Sequence, residues 1–145
     1  MDLRKEMREA YYRALYGQMV ANTTPLPMWP GSVPKDQNPD IYGLISVSGN
    51  TSLDTMDSKN SIYVTQFTIV VMNSTFADNA TVDSLADQFW QIVEPRKGVT
   101  GINPIGFQIL TTDKQMDITK DPYLNSANKI VAERIIQVKN TIFHI

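Results

Sequence analysis

The stretch Ser61–Met72 (SIYVTQFTIVVM) constrains the fold more than any other part of the sequence. It contains no Gly, Pro or Lys and is rich in β-branched and aromatic residues, which favours a β-strand. Its odd positions are large and apolar from Phe67 onward, whereas Gln66 and Thr68 interrupt the even positions. The sequence therefore predicts a strand with one face in the core and the other only partly covered. At about 3.3 Å per residue it would span roughly 40 Å, which is long enough to reach a neighbouring subunit at one end.

Two amphipathic helices and three further strands are predicted around this stretch. They fall at residues 2–20 (helix), 41–48 (strand), 80–94 (helix, with Asn79 or Thr81 as its N-cap), about 105–112 (strand) and 129–145 (strand). The first two strands are joined by a polar segment, which favours an antiparallel hairpin. We therefore expect an α+β fold with one domain over residues 1–145. Its sheet would be four-stranded and mostly antiparallel, with both helices packed on one face.

Apolar stripes identify the expected core. They comprise Leu3, Met7, Tyr11, Ala14 or Leu15, and Met19 in the first helix; Val82, Leu85, Ala86, Phe89 and Val93 in the second; and Ala132, Ile136, Val138 and Ile142 in the last strand. Trp90 widens the stripe of the second helix and is expected to be a core residue. Tyr12 and Tyr16 lie off the first stripe, so they either pack at the rim of the core or face a partner subunit.

Two connections differ from ordinary loops. Residues 21–40 contain five prolines, which exclude a helix or a central strand, so we expect an ordered crossover packed on the domain. Residues 49–60 form a polar hairpin arm, which is either a mobile tip or an arm that orders against a partner. Within the strand before this arm, Gly43 indicates a bulge or a close backbone approach. Residues 120–128 are expected to form a polar connection.

Composition argues against several functional classes. The net charge is −2 and no dense basic cluster occurs, so we expect no surface for sequence-specific nucleic acid. The sequence has no cysteine, no apolar run of membrane-spanning length and no apolar signal-peptide core near its start. We therefore expect a product of the cytosol, or a particle component made there, with no membrane contact.

No catalytic or metal-binding pattern is recognisable. The single histidine, His144, is poorly placed for a triad or a metal site. The acidic pairs Asp54/Asp57 and Asp113/Asp117 lack the glycine and ligand spacing of a calcium loop. An enzyme that uses carboxylates from distant segments stays open, but nothing in the sequence selects such a pair. We therefore expect no cofactor and no enzymatic activity.

The order of three stretches resembles the tail-completion, or tail-terminator, proteins of tailed bacteriophages. The first stretch is the amphipathic helix Leu3–Leu15 with its aromatic residues. The second is the aromatic-Pro-Gly segment Trp29–Pro34, followed by Pro39–Tyr42 as it enters a strand. The third is the strand Tyr63–Met72, followed by a helix that carries Leu85–Asp87. Each motif is loose, and their order and spacing carry the resemblance.

This resemblance spans residues 3–93 and implies a function without catalysis. Subunits of this family form a ring at the head-proximal end of the tail, where they stop polymerisation of the tail tube and present a surface to the head connector. The resemblance implies a cyclic homo-oligomer, hexameric or dodecameric, with portal or connector, neck and tail-tube proteins as partners. It places the protein in the virion, at the neck or tail, after assembly in the cytoplasm of the bacterial host.

Nine residues are the expected contacts with neighbouring subunits or partners: Trp29, Leu53, Asp54, Met56, Asp57, Ile62, Val64, Ile142 and Phe143. They come from the proline-rich crossover, the hairpin arm, the start of the long strand and the end of the last strand. Strand edges that stay exposed can add to the sheet of a neighbour. The alternative is a small, non-enzymatic α+β module that binds a ligand or a peptide in an apolar pocket near Trp29 or Trp90.

Overall fold

The structure, a computed structural model, describes residues 3–52, 60–94 and 100–144. Its elements follow in chain order: α1 (Arg4–Leu15), β1 (Val20–Ala21), β2 (Thr24–Pro25), β3 (Met28–Pro30), β4 (Ile41–Ser52), β5 (Asn60–Asn73), α2 (Asn79–Val93), β6 (Phe107–Thr119), β7 (Tyr123–Leu124) and β8 (Ile130–His144). The expected α+β class with two helices is confirmed.

The main sheet is mixed and has more strands than expected. Its strands lie in the order β3-β4-β5-β8-β6, and β7 also pairs with β8. The four long strands are antiparallel to their neighbours, but β3 is parallel to β4. The prediction of a four-stranded sheet is therefore wrong, because part of the proline-rich crossover forms the edge strand β3. Prolines are tolerated there, since an edge strand pairs on one side only.

Strand β5 has the two different faces that the sequence predicts. Its odd residues from Ser61 to Val71 are buried, whereas Ile62, Val64, Gln66 and Thr68 are half-buried. The hairpin with β4 is antiparallel, as expected, and β8 pairs with the other side of β5 over its full length. This strand is thus the centre of the sheet, flanked on both sides by long partners.

Both helices lie on the face of the sheet that carries the odd residues of β5. The buried residues of α1 are Met7, Ala10, Tyr11 and Leu15, and those of α2 are Val82, Leu85, Ala86, Phe89 and Val93. The rings of Phe67 in β5 and Phe89 in α2 stack at 5.1 Å. The predicted apolar stripes and the packing of both helices on one face are confirmed. The opposite face of the sheet is therefore free of helices among the described residues.

The ends of four elements differ from the predictions. Strand β4 continues to Ser52, past residue 48, so residues 49–52 of the expected hairpin arm pair with β5 instead. Helix α1 ends at Leu15 because Gly17 adopts a positive φ of 84°, which turns the chain. Helix α2 is capped by Asp78, not by Asn79 or Thr81. Strand β6 continues to Thr119, well past residue 112, because two register shifts let its polar half keep pairing with β8.

Candidate interaction surfaces

The helix-free face is formed by the even residues of β5 and by the residues opposite them on the neighbouring strands. Its members on the four long strands include Leu44, Ser46 and Ser48 of β4; Val64, Gln66 and Thr68 of β5; Ile135, Gln137 and Lys139 of β8; and Asp113 and Ile118 of β6. The Gln137 amide donates a hydrogen bond to Gln66 over 3.0 Å. Apolar and polar side chains alternate on this face, which suits a surface that is partly wet and partly in contact with a partner.

The structure brings some of the expected contact residues together on this face. Ile62 and Val64 lie there half-buried, and Phe143 lies opposite Asn60 on the adjacent strand. Trp29 is half-buried in β3, where its ring meets that of Tyr42 edge-on at 6.3 Å. These four residues therefore lie in two places. Ile62, Val64 and Phe143 lie at one end of the β5–β8 pair, and Trp29 lies at the β3 edge of the sheet.

The other expected contact residues are placed differently. Ile142 is fully buried on the helix-covered face, so its side chain has no surface to offer a partner in this fold. Leu53, Asp54, Met56 and Asp57 lie outside the described residues.

Strand β4 has an open edge where β3 ends. The amide of Gly43 donates to the carbonyl of Pro27 over 2.8 Å, and the carbonyl of Ile45 accepts from Gly31 over 3.2 Å. Backbone groups of alternate residues point to the same side of a strand, so those of Val47 and Gly49 point the same way. Within the described part of the chain, no strand pairs with β4 on this side beyond Ile45. These groups are therefore available for pairing with another strand.

A cleft of about 430 Å³ lies beside this open edge, on the helix-covered side of the sheet. Its walls are Arg8, Glu9, Tyr12 and Arg13 of α1 and Pro30 and Ile45 of the sheet, and we call it the edge cleft. Tyr12 is 39% exposed, and its ring stacks on that of Tyr16 at 5.2 Å. The two tyrosines therefore lie at the surface beside the edge cleft.

Strand β6 forms the opposite edge of the sheet. Register shifts between Ile109 and Thr111 and between Lys114 and Met116 divide it, so that Thr111–Lys114 is a regular stretch between two bulges. Leu110 and Ile118 are about half exposed, at 48% and 49%. No described strand pairs with the outer side of β6. Among the described residues the sheet thus has two open edges: one is formed by β3 and the part of β4 beyond it, and the other by β6.

A charged cluster ties α2 to the β6 edge. Arg134 of β8 donates to both carboxylate oxygens of Asp117 at 2.6 and 2.8 Å, and to Asp83 of α2 at 3.0 Å. The indole N–H of Trp90 also donates to Asp117, over 3.0 Å, and the ammonium group of Lys114 lies 4.9 Å from the Trp90 ring centre. The hydrogen bonds from Arg134 hold the pKa of Asp117 below its ordinary value, with Trp90 and Lys114 acting in the same direction against burial. The carboxylate is therefore ionised at neutral pH and fixes β6 to α2.

A second polar cluster is enclosed by the core. The hydroxyl of Tyr11 donates to the side-chain oxygen of Asn140 over 2.5 Å, and the amide of Asn140 donates to Thr112 over 3.0 Å. Burial raises the pKa of Tyr11, so this hydroxyl stays protonated. It joins α1 to β8 and β6 across the interior. Because the hydrogen bonds of Tyr11 and Asn140 go to neighbouring side chains and to the carbonyl of Thr111, we assign this cluster a structural role.

Sequence reasoning did not identify either cluster, although each left a signal. Arg134 and Asn140 both interrupt the apolar face of the last strand, which also carries Ile136 and Val138. A polar residue on a predicted core face indicates a buried partner, but the pattern does not say which one. The sequence pattern groups Asp117 with Asp113. In the structure, the register shift between Lys114 and Met116 turns the side chain of Asp117 towards the helix-covered side of the sheet.

The described residues contain neither a metal-binding cluster nor a membrane-spanning helix. No group of three or more His, Asp or Glu side chains could hold a metal ion in that part of the chain. None of its helices is both long and apolar enough to cross a membrane. Comparison with protein-family models and with curated proteins gives no match.

Proposed function

We propose that this protein is a structural subunit that forms a ring at the junction between the head and the tail of a tailed bacteriophage. In this role the ring completes the tail, stops polymerisation of the tail tube and joins the tail to the head connector. The protein would act in the virion after assembly in the host cytoplasm. It would need no cofactor and would catalyse no reaction.

The observation that carries this proposal is a sheet with two open edges, one at Ser46–Gly49 of β4 and one along β6. When a patch on one side of a subunit fits a different patch on the opposite side of the next copy, the contact between the two copies is head-to-tail. Repetition of such a contact closes into a ring when the rotation between subunits allows it. The helix-free face supports the same reading, since a ring subunit needs further surface for the components above and below it.

The position at the phage neck is supported by the sequence resemblance. The helix Leu3–Leu15, the segment Trp29–Pro34 and the strand Tyr63–Met72 occur in the order found in tail-completion proteins. The charged cluster around Asp117 also has a place in this role, because it holds α2 against the strand that would meet the next subunit.

Mass photometry and negative-stain electron microscopy of the purified chain test the proposal. We expect closed rings of six or twelve copies, with purified tail tubes or portal rings binding to the two ends. A chain that stays monomeric at micromolar concentration, both alone and with tail tubes present, would contradict it. Co-purification with portal, capsid and tail-tube proteins from infected cells would support it independently.

A small, non-enzymatic module that binds a ligand or peptide is the second candidate, and the edge cleft favours it. At about 430 Å³ the edge cleft falls within the range of small-molecule sites, and Tyr12, Pro30 and Ile45 give it an apolar lining. This candidate predicts a monomer or dimer. Saturable binding of an apolar peptide to the native chain, lost in Tyr12→Ala, would support it.

A further inference from the structure

We propose that neighbouring copies of this chain join by strand addition, in which the open edge of β4 in one copy pairs with the outer edge of β6 in the next. This inference rests on the proposed ring and specifies the contact that would build it. The paired segments are Ser46–Gly49 of β4 and Thr111–Lys114 of β6. The result is one continuous sheet that runs from copy to copy.

Unpaired backbone groups provide the attraction. Val47 and Gly49 direct their N–H and C=O groups away from β5, on the side where β3 has already ended. Strand β6 pairs with β8 on one side only, so alternate residues of its regular stretch direct theirs outward as well. Open strands of this kind accept a further strand through main-chain hydrogen bonds.

The lengths of the two segments match. On β4 the regular open stretch begins after Ile45 and ends at the register shift between Gly49 and Thr51. On β6 it is bounded by the register shifts on either side of Thr111–Lys114. Each segment therefore offers four regular residues. Three of these ends are bulges and the fourth, before Ser46, is set by β3; together they limit the contact to this length and disfavour open-ended pairing with unrelated strands.

The strand directions are also compatible. Because β4 and β8 are both antiparallel to β5, they run in the same direction, and β6 runs opposite to them. Rotation about an axis along the strands keeps these directions. A copy of β6 would then lie antiparallel to β4 of its neighbour, as the other long strands of the sheet do.

Charged residues lie at both edges. The edge cleft beside β4 carries two arginines, Arg8 and Arg13, and one acidic residue, Glu9. Asp83 lies on the side of α2 that faces β8 and β6, where it accepts a hydrogen bond from Arg134. In a continuous sheet all helices lie on the same face, so α2 of one copy would approach α1 of the next, with Asp83 towards the two arginines. The edge cleft would lie at this boundary.

Engineered cysteines test the contact directly, because the native chain has none. Four double variants combine Ser46→Cys or Ser48→Cys with Thr111→Cys or Asp113→Cys; all four positions are exposed on the helix-free face. Within one copy, β5 and β8 separate β4 from β6 by roughly 14 Å, at about 4.8 Å per strand. This exceeds the reach of a disulfide, so any disulfide must join two copies.

We expect mild oxidation of at least one double variant to give a ladder of covalent multimers on a non-reducing gel. Each single variant should give no species larger than a dimer. The matched control, Ser48→Cys with Gln91→Cys, places its second thiol on the exposed side of α2 and should give no ladder. In addition, Val47→Pro removes an outward-pointing N–H, so the variant should fold, as judged by circular dichroism, but lose its rings.

The outcomes separate this contact from the proposed function. If the native chain forms rings but none of the four pairs gives a ladder, the strand-addition contact is wrong and the ring stands. Rings of folded Val47→Pro that match those of the native chain would also overturn the contact. If the native chain forms no rings under any condition, the proposed function fails and this inference fails with it.

Discussion

Trp90 in α2 donates its indole N–H to the carboxylate of Asp117 in β6 over 3.0 Å. The same carboxylate accepts two hydrogen bonds from Arg134 of β8, and its side chain is only 7% exposed. One ionised group therefore connects a helix and two strands at the edge of the sheet. Removing one partner of an ion pair that is shielded from water costs more than removing one at the surface, because the remaining charge is left without a partner.

We expect Asp117→Asn to destabilise the protein at neutral pH by about 2–3 kcal/mol, because it leaves Arg134 without its main partner. The pKa of Asp117 lies below its ordinary value in the folded protein. Its stabilising effect is therefore fully present above the unfolded-state pKa of about 4, and it is lost as the pH falls through the folded-state pKa. Urea denaturation at neutral and acidic pH should show the difference between native and variant shrinking in acid.

Two further variants make this prediction specific. Trp90→Phe keeps an aromatic ring but removes the indole donor, so it should cost about 1 kcal/mol. Asp121→Asn changes an exposed carboxylate and should alter stability by less than about 0.5 kcal/mol. A loss in Asp117→Asn that is no larger than that in Asp121→Asn would show that the cluster contributes little.

The cap of α2 is a second point at which one substitution gives a clear answer. The Asp78 side chain accepts hydrogen bonds from the backbone N–H of Thr81 at 3.1 Å and from its hydroxyl at 2.7 Å. We expect Asp78→Ala to lower the free energy of unfolding by about 1 kcal/mol, with Asn79→Ala near zero as the control. Thermal denaturation of both variants measures the difference. Equal losses of stability in the two variants would mean that Asp78 and Asn79 contribute equally to the cap of α2.

Gly43 allows a close approach between β4 and the core. A Cβ atom at this position would lie 2.6 Å from Cζ of Phe67, so Gly43→Ala forces the ring to move. We expect a loss of about 1–3 kcal/mol, measured by chemical denaturation. In the double variant Gly43→Ala/Phe67→Leu the smaller side chain relieves the clash. Its loss of stability should therefore be smaller than the sum of the losses in the two single variants. Strict additivity would rule out this contact as the cause.

The segment between β4 and β5, residues 53–59, is what remains of the expected hairpin arm, and it allows a separate test of docking. We expect replacement of residues 53–59, which include Leu53 and Met56, by a short Gly/Ser turn to leave rings intact and to weaken their binding to tail tubes or portal rings. Binding is measured by co-sedimentation. A matched variant that keeps the length but changes Leu53 and Met56 to Ser separates the effect of apolar contacts from that of length. If docking is unchanged in both, the arm is not a docking element.

Much of the core could be predicted from the sequence, because periodicity reports burial directly. The alternation in β5 and the stripe from Val82 to Val93 in α2 both match the observed burial. Gly43 was expected to mark a bulge or a close approach, and the position of Phe67 identifies the close approach. These features depend on one element and its nearest neighbour, which is the range over which side-chain patterns carry information.

Features that depend on long-range pairing could not be predicted in the same way. Strand β3 is too short and too rich in proline to look like a strand, and it exists because β4 supplies its partner. The second half of β6 is polar, and its bulges turn Asp117 inward where a simple alternation would not. The open edges follow from the order of strands in the sheet, which the sequence pattern does not determine.

Tyr11 provides a last test of how the interior is held together. Its hydroxyl donates to Asn140, which is fully buried and otherwise bonded to Thr112 and the carbonyl of Thr111. Tyr11→Phe removes the donor but keeps the ring, so the oxygen of Asn140 loses its partner inside the core. We expect a loss of about 1–3 kcal/mol in the free energy of unfolding, measured in urea.

The matched control for this test is Tyr12→Phe, one residue along the same helix. Tyr12 is 39% exposed, and water can replace any hydrogen bond that its hydroxyl makes. Its removal should change stability by less than about 0.5 kcal/mol. The double variant Tyr11→Phe/Asn140→Leu removes both partners and should recover part of the loss, since the unsatisfied oxygen is then gone. If Tyr11→Phe is as stable as Tyr12→Phe, the hydrogen bond between Tyr11 and Asn140 does not contribute measurably to the packing of α1 on the sheet.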